Sequence, residues 1–196
     1  STSFLEAGGF CKSSADKEYP NIQFHFFPSF VIDHGTVDPD RHGYQLHASL
    51  NQPKSRGQVT LNSSNPYDHP KIKFNYLEND YDLKETIKCI HVARKILNQA
   101  SMQRFAGKEI GPGENAETDK EIEDYIRSKS ETADNPSCTL KMGTDDMAVV
   151  NEKLKIHGLQ NIRVADASVM PEITSGNLNA PTLMIGERAS DFILNS

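Results

Sequence analysis

Tryptophan is absent, cysteine occurs only three times, and no apolar run approaches the ~18 residues that a membrane-spanning helix needs. Cations are also short, with 21 Lys+Arg against 27 Asp+Glu and a formal net charge of −6. That balance argues against sequence-independent nucleic-acid binding, which depends on Lys and Arg neutralising phosphates. No basic stretch leads into an apolar one, so no secretory signal is expected. Cys11, Cys89 and Cys138 are odd in number, far apart and without a C-x-x-C pair. This excludes the usual zinc and dithiol spacings and reads most simply as a reducing, cytoplasmic setting. The acceptor pattern at Asn62-Ser63-Ser64 is then a chance match. What is present suffices for a globular core: 36% hydrophobic residues and 12 Gly in 196 residues. That is one large domain or one and a half small ones.

Generic motifs are missing as well. There is no G-x-G-x-x-G; Gly111-Pro112-Gly113 comes nearest, but Ala116 holds the third place and no strand precedes it. Neither G-x-x-x-x-G-K-[ST], H-E-x-x-H nor G-x-S-x-G occurs. The seven His (25, 34, 42, 47, 69, 91 and 157) show no metal-ligand spacing. Six read as loop or surface residues. His25 differs because it lies among phenylalanines in a strand, although a lone His there is more often a satisfied core residue than a catalyst.

Period-two alternation predicts strands. Ile22, Phe24 and Phe26 alternate with Gln23 and His25, and Pro28 bends the strand or places it at an edge. The first 40 residues thus read as turn, strand and loop, with a polar loop from Asp33-His34-Gly35 to Arg41-His42-Gly43. Further strands are expected over 44–51, 58–62 and 71–76, broken by turn formers, in one antiparallel sheet. Leu83, Ile87, Ile90 and Leu97, with Ala93 and Ile96 beside them, predict a helix over 80–98. Thr118 and Glu121 form a capping pair for a second helix over 118–128, with Ile122, Tyr125 and Ile126 as its buried stripe. Toward the end a short strand (Asn161–Ala165), Asp166, and a Gly/Asn/Pro-rich turn lead into a helix. That helix carries Ile185, Ala189, Phe192 and Ile193 on one face, and Pro181 suits its first turn. The expected class is α+β, mainly antiparallel sheet with flanking helices. A loop facing a helix N-terminus is a weak signal for an anion or cofactor contact.

Three runs carry something more specific. They are SRGQVTLNSSNPYDHPKIKFNYL (Ser55–Leu77), NPSCTLKMG (Asn135–Gly143) and KIHGLQNIRVADASVMPEITSGNLNAPTLMIGERASDFI (Lys155–Ile193). Together with FLEAGGF (Phe4–Phe10) and IQFHF (Ile22–Phe26), they resemble, in collinear order, the C-terminal part of the glucose–methanol–choline oxidoreductases. The similarity is strongest to the choline-oxidising bacterial members and covers essentially the whole chain.

The resemblance implies an FAD-dependent oxidation of choline or a related alcohol to the aldehyde. It implies that 1–145 is the substrate-binding part, an antiparallel sheet with helices that roofs the flavin. Residues 146–196 then return to the FAD domain, whose N-terminal Rossmann-type part lies outside this chain. That domain is the expected partner; nucleic acid and a membrane span are not expected. Expressed alone, the face meant for it would be exposed and would drive homo-oligomerisation. The expected location is cytoplasmic, with or without association with the inner face of the cell membrane.

Site residues carry over position by position. Two polar side chains hold the substrate hydroxyl in the family, a His in a His-Pro dipeptide and an Asn or His in the S/G-N-x-N segment. The second is matched by Asn177, whereas Asn135 stands where the family has His. An amide donates and accepts hydrogen bonds but takes no proton near neutral pH. Flavin contacts carry over to Asp166, Ala167, Asn177, Asn179 and Thr182. Without the resemblance, Asp166 reads equally as a turn cap and the two asparagines as turn formers. His25 corresponds to a position lining the substrate pocket. Phe24, Phe26, Phe27 and Tyr44 are candidates for an aromatic cage around a quaternary ammonium, or else simply sheet core. No metal is expected. The substitution at Asn135 leaves a non-catalytic choline- or betaine-binding or assembly module, or a degenerate family member, as rival readings.

Overall fold

The computed structural model describes residues 5–29, 31 and 41–195. They divide into two units, Ser1–Ser55 with Leu77–Ser130 and Arg56–Tyr76 with Glu131–Ser196. The polar loop expected over 33–43 lies largely outside the described residues.

In the first unit, β1 (Ala7–Cys11), β2 (Ile22–Phe27) and β3 (Gln45–Leu50) form an antiparallel sheet in the order β1-β2-β3. β2 stops at Phe27 because Pro28 brings no N–H to the ladder. β1 was expected as a turn, since Gly8 and Gly9 interrupt any apolar alternation. Gly8 is what the pairing needs: a Cβ there would stand 2.6 Å from the Phe24 carbonyl oxygen.

The helix expected over 80–98 is α1 (Asp80–Leu97). Asn79 caps it by accepting from the Tyr81 N–H at 2.9 Å. Asp80 and Asp82 in its first turn and Arg94 and Lys95 in its last complement the helix dipole. α1 buries two faces. Small residues, Cys89 and Ala93, lie against Ile22 and Phe24 of the sheet. Leu83, flanked by Ile87 and Ile90, packs on Ile122 and Ile126 of α2 (Asp119–Lys129). Ile96 is exposed, contrary to the expected apolar face. Arg94 makes a two-pronged pair with Glu109 and donates to the carbonyls of Gly113 and Ala116, holding the connection to α2 against α1.

The capping box at Thr118 is present in full. Thr118→Ala should therefore destabilise the first unit by about 1 kcal/mol, read from the urea midpoint. An unchanged midpoint would show that the box contributes nothing.

Among the described residues of this unit, two acids are buried. Asp82 accepts from the Lys54 and Ser55 N–H groups, both at 2.7 Å. Glu85 accepts from Ser13 Oγ, from Asn21 Nδ2 at 2.7 Å and from Lys88 Nζ at 2.7 Å, with Lys17 Nζ at 3.6 Å.

In the second unit, β4 (Gln58–Thr60) pairs antiparallel with β5 (Lys71–Lys73). The single sheet expected from the sequence is therefore two, a three-stranded sheet and a separate two-stranded ribbon. The ribbon is shorter than the alternation suggested, because left-handed backbone at Asn75 (φ 53°) and Leu77 (φ 60°) ends the extended run. Its connecting loop is tied by its own side chains: Ser63 Oγ and Asn65 Nδ2 both donate to the Asp68 carboxylate.

The core of this unit is Val150, Leu154, Val169, Met170 and Leu178 with Ile185 and Ala189 of α3 (Asn179–Leu194). Phe192 packs on it, whereas Ile193 points outward, so the buried stripe of α3 is narrower than expected. The strand expected over Asn161–Ala165 reduces to one antiparallel bridge between Lys155 and Arg163. Asn161 is left-handed (φ 59°) and Ile162 is exposed, so neither extends a ladder. Among the described residues no helix is long and apolar enough to cross a membrane.

Candidate functional site

The second unit brings together three of the segments singled out in the sequence. The run after Asn135 lies along the turn after Asp166: the N–H groups of Cys138, Leu140 and Met142 donate to the carbonyls of Ala167, Ser168 and Val169 at 3.2, 2.9 and 2.8 Å. Asp166 caps a 3-10 turn over Ala167–Val169, its Oδ1 accepting from the Ser168 N–H at 2.8 Å. Val169 and Met170 then anchor the segment in the core shared with Leu178 and α3. Asp166, Asn135, Asn177 and Asn179 are exposed, and Ala167 and Thr182 half-buried.

Each of these side chains has a local reason for its position. Thr132 Oγ1 accepts from the Asp134 N–H at 3.0 Å, and Asp134 adopts a left-handed turn (φ 56°) that leads into Asn135. Asn135 Nδ2 donates one hydrogen back to the Ala133 carbonyl, which leaves Oδ1 and the second amide hydrogen to face a ligand. Thr182 donates its hydroxyl to the Leu178 carbonyl at 2.7 Å, which leaves the hydroxyl oxygen as an acceptor.

The N-terminus of α3 has no side-chain cap, and no acid lies in its first turn. The first N–H groups of a helix have no intrahelical acceptor, and the dipole there favours negative charge. An uncapped helix start flanked by the exposed amides of Asn177 and Asn179, in a unit that also exposes the Asp166 carboxylate, fits a polyhydroxylated, phosphate-bearing cofactor such as FAD. Asp166, Ala167, Asn177, Asn179 and Thr182 are the residues that would hold it. Among the described residues no cluster of His, Cys, Asp or Glu fits a metal ion.

Cys138 was not singled out from the sequence. Its φ of 69° is unusual for a residue with a Cβ, and its N–H is one of the three that join the two segments. A small residue is what this corner accepts. Cys138→Gly should remain within about 0.5 kcal/mol of the parent protein, because relief of backbone strain offsets lost packing. Cys138→Val, β-branched, should lose about 2 kcal/mol in the same urea titration. Equal midpoints for the two variants would show that the corner is unstrained.

The first unit holds the other candidates. Alternation on β2 sends Phe24 and Phe26 to one face and His25 and Phe27 to the other. Phe24 is 5% exposed in the core beneath α1, so it is not available to a ligand. Phe26 and Tyr44 are half-buried, with ring centroids 5.8 Å apart. His25 stands directly across from His47 of β3, whose ring lies 4.4 Å from that of Phe27. Sequence reasoning missed His47, which alternation alone places beside His25 once the register is known.

Comparison with known proteins extends this geometry. Residues 53–186 match the family model described as GMC oxidoreductase. The chain is 46% identical over 196 residues to an oxygen-dependent choline dehydrogenase of Vibrio vulnificus, covering 99% of this chain and 35% of that protein. It therefore spans about a third of the length of the curated relatives it matches. The fold superposes on pyridoxine 4-oxidase from Mesorbium loti with a TM-score of 0.89 at 24% identity, over 98% of this chain and 38% of the other. An FAD-dependent oxidoreductase from Chaetomium thermophilum matches at 30% identity and a TM-score of 0.76, over 90% and 28% of the two chains. The Asn135 and Asp166 segments and the α3 start thus lie within, or immediately beside, a stretch matched as a whole, and the chain belongs to the GMC oxidoreductases.

Proposed function

We propose that this chain is the C-terminal, substrate-binding part of an FAD-dependent alcohol dehydrogenase that oxidises choline or a related alcohol to the aldehyde. Residues 1–145 serve as the substrate-binding part and 146–196 as the segment returning to the FAD domain of the same protein. The reading is supported above all by the knitting of the Asn135–Gly143 run to the Asp166 turn. FAD, when bound in the whole protein, supplies the acceptor for the hydride leaving the alcohol carbon. Asn177 and Asn135 hold the substrate hydroxyl by hydrogen bonds. Asp166, Ala167, Asn179 and Thr182 orient the cofactor, with Asn177 touching both. Within the first unit, His25, Phe26 and Tyr44 are the substrate-binding candidates, the aromatic faces favouring a quaternary ammonium. The protein works in the cytoplasm, with or without association with the inner face of the membrane, and isolated copies of this part self-associate.

The isolated 196-residue chain should fold yet show no choline turnover with added FAD and an artificial electron acceptor. Turnover under those conditions would sink this reading. The amide at Asn135 favours a second reading, a choline- or betaine-binding module without catalysis. Saturable heat on titrating choline into the flavin-free chain would select it.

A further inference from the structure

We propose that Cys11 and Cys89 are a thiol pair that low-molecular-weight disulfides oxidise to an intramolecular cross-link between β1 and α1. The strand register places Cys11 opposite Ile22 and Gly9 opposite Phe24. Directly opposed residues of an antiparallel pair share a face. Cys11 therefore projects to the side of the sheet that carries Ile22 and Phe24, the side on which α1 lays Cys89 and Ala93. It packs against that same cluster. The adjoining polar contacts fix the alignment. Ser13, two residues beyond Cys11, donates to Glu85, one helical turn before Cys89. Asn21 donates its N–H to the Cys11 carbonyl at 3.0 Å and its amide to Glu85 at 2.7 Å. Both thiols are free, Cys11 half-buried and Cys89 fully buried.

The chemistry is ordered by that difference in access. The Cys11 thiolate attacks one sulfur of glutathione disulfide, forming a mixed disulfide and releasing one glutathione thiol. The Cys89 thiolate then attacks the Cys11 sulfur and expels the second glutathione thiol. Two cysteine thiols are oxidised, one glutathione disulfide is reduced, and the two protons end on the released glutathiones. Burial raises both thiol pKa values, that of Cys89 to about 12, helped by Glu85 and then Cys11. The native pair is therefore slow to react and indifferent to brief oxidant exposure. Once closed, the cross-link ties the edge strand β1 to α1.

The test is made on the full-length protein in a glutathione/glutathione disulfide buffer at about pH 8, where thiolate is more abundant. Non-reducing peptide mapping should recover the Cys11 peptide joined to the Cys89 peptide. The melting midpoint of the first unit should rise by about 10 °C and fall back with dithiothreitol. In Cys11→Ser, Cys89 should stay unmodified under the same conditions. A lasting glutathione adduct on Cys11 with Cys89 free, a cross-link formed only in unfolded protein, or pairing with another cysteine would overturn the proposal.

Discussion

Asn135→His in the full-length protein should raise choline turnover by roughly 10²- to 10³-fold, the usual effect of placing a general base beside a reacting hydroxyl. The argument is chemical. Hydride can leave the alcohol carbon readily only as the hydroxyl proton is taken up, and an amide has no basic site for it near neutral pH. Asn135 is exposed, follows a fixed turn and spends one amide hydrogen on the Ala133 carbonyl, so in the proposed role it meets the hydroxyl with an amide and no base. An imidazole in the same place keeps the hydrogen bond and adds the base. Its contribution should appear as a limb in the pH–rate profile, turnover rising with pH as the ring loses its proton near 6.5. Asn135→Gln, which restores no base, should show neither the gain nor the limb. If the His variant turns over no faster, the proton leaves by another route, and the account of Asn135 as the missing base is wrong.

Glu85→Ala should destabilise the first unit by about 3–5 kcal/mol, as expected when one partner of a buried ionic cluster is removed. Its side chain is 4% exposed and is the common acceptor for Ser13, Asn21 and Lys88, with Lys17 close by. Truncation would leave two ammoniums and a buried amide facing a hole. Burial pushes the Glu85 pKa upward, but the hydrogen bonds from Lys88, Ser13 and Asn21 outweigh it, and the net shift is downward. A carboxyl whose folded pKa lies below its unfolded value stabilises the fold at pH values above the unfolded one. That stabilisation is lost as pH falls through the folded value. The parent protein should therefore lose stability on acidification below the ordinary glutamate range. Glu85→Gln, which cannot ionise, should flatten that limb. Hydrogen exchange at the β1, β2 and α1 amides reads the effect unit by unit. Protection unchanged in Glu85→Ala would mean that the cluster is dispensable.

The two faces of α1 explain what the sequence disclosed and what it hid. The aliphatic face toward α2 was legible, because Leu83, Ile87 and Ile90 recur at helical spacing. The face toward the sheet was legible only at Ala93: it also carries Cys89, whose lone apolar side chain sets no period, and Asp82 and Glu85, which a hydrophobicity pattern assigns to solvent. Those acids are buried because backbone and side-chain donors from distant segments meet them, and periodicity carries no information about distant donors. β1 stayed hidden for a related reason, since a glycine required by close backbone approach looks like a turn. At the candidate site, the cap at Asp166 and the start of α3 could be read locally. That Asn135 lies on the same segment as the residues hydrogen-bonded to the Asp166 turn depended on long-range pairing, which only the resemblance anticipated.

The chain leaves the first unit at Ser55 and returns at Leu77. Asp82 grips the Lys54 and Ser55 amides, and Ser55 Oγ accepts from the Asn79 N–H at 3.1 Å, so exit and return are clasped within a few residues of each other. With the ends clasped and β4 paired to β5, the 61–70 connection of this excursion is the part that is thermodynamically cheap to lengthen or shorten, since closure entropy grows only with the logarithm of loop length. Variation among descendants should therefore accumulate as insertions and deletions in that connection. Within β1–β3, by contrast, one added residue would turn every side chain beyond it to the opposite face.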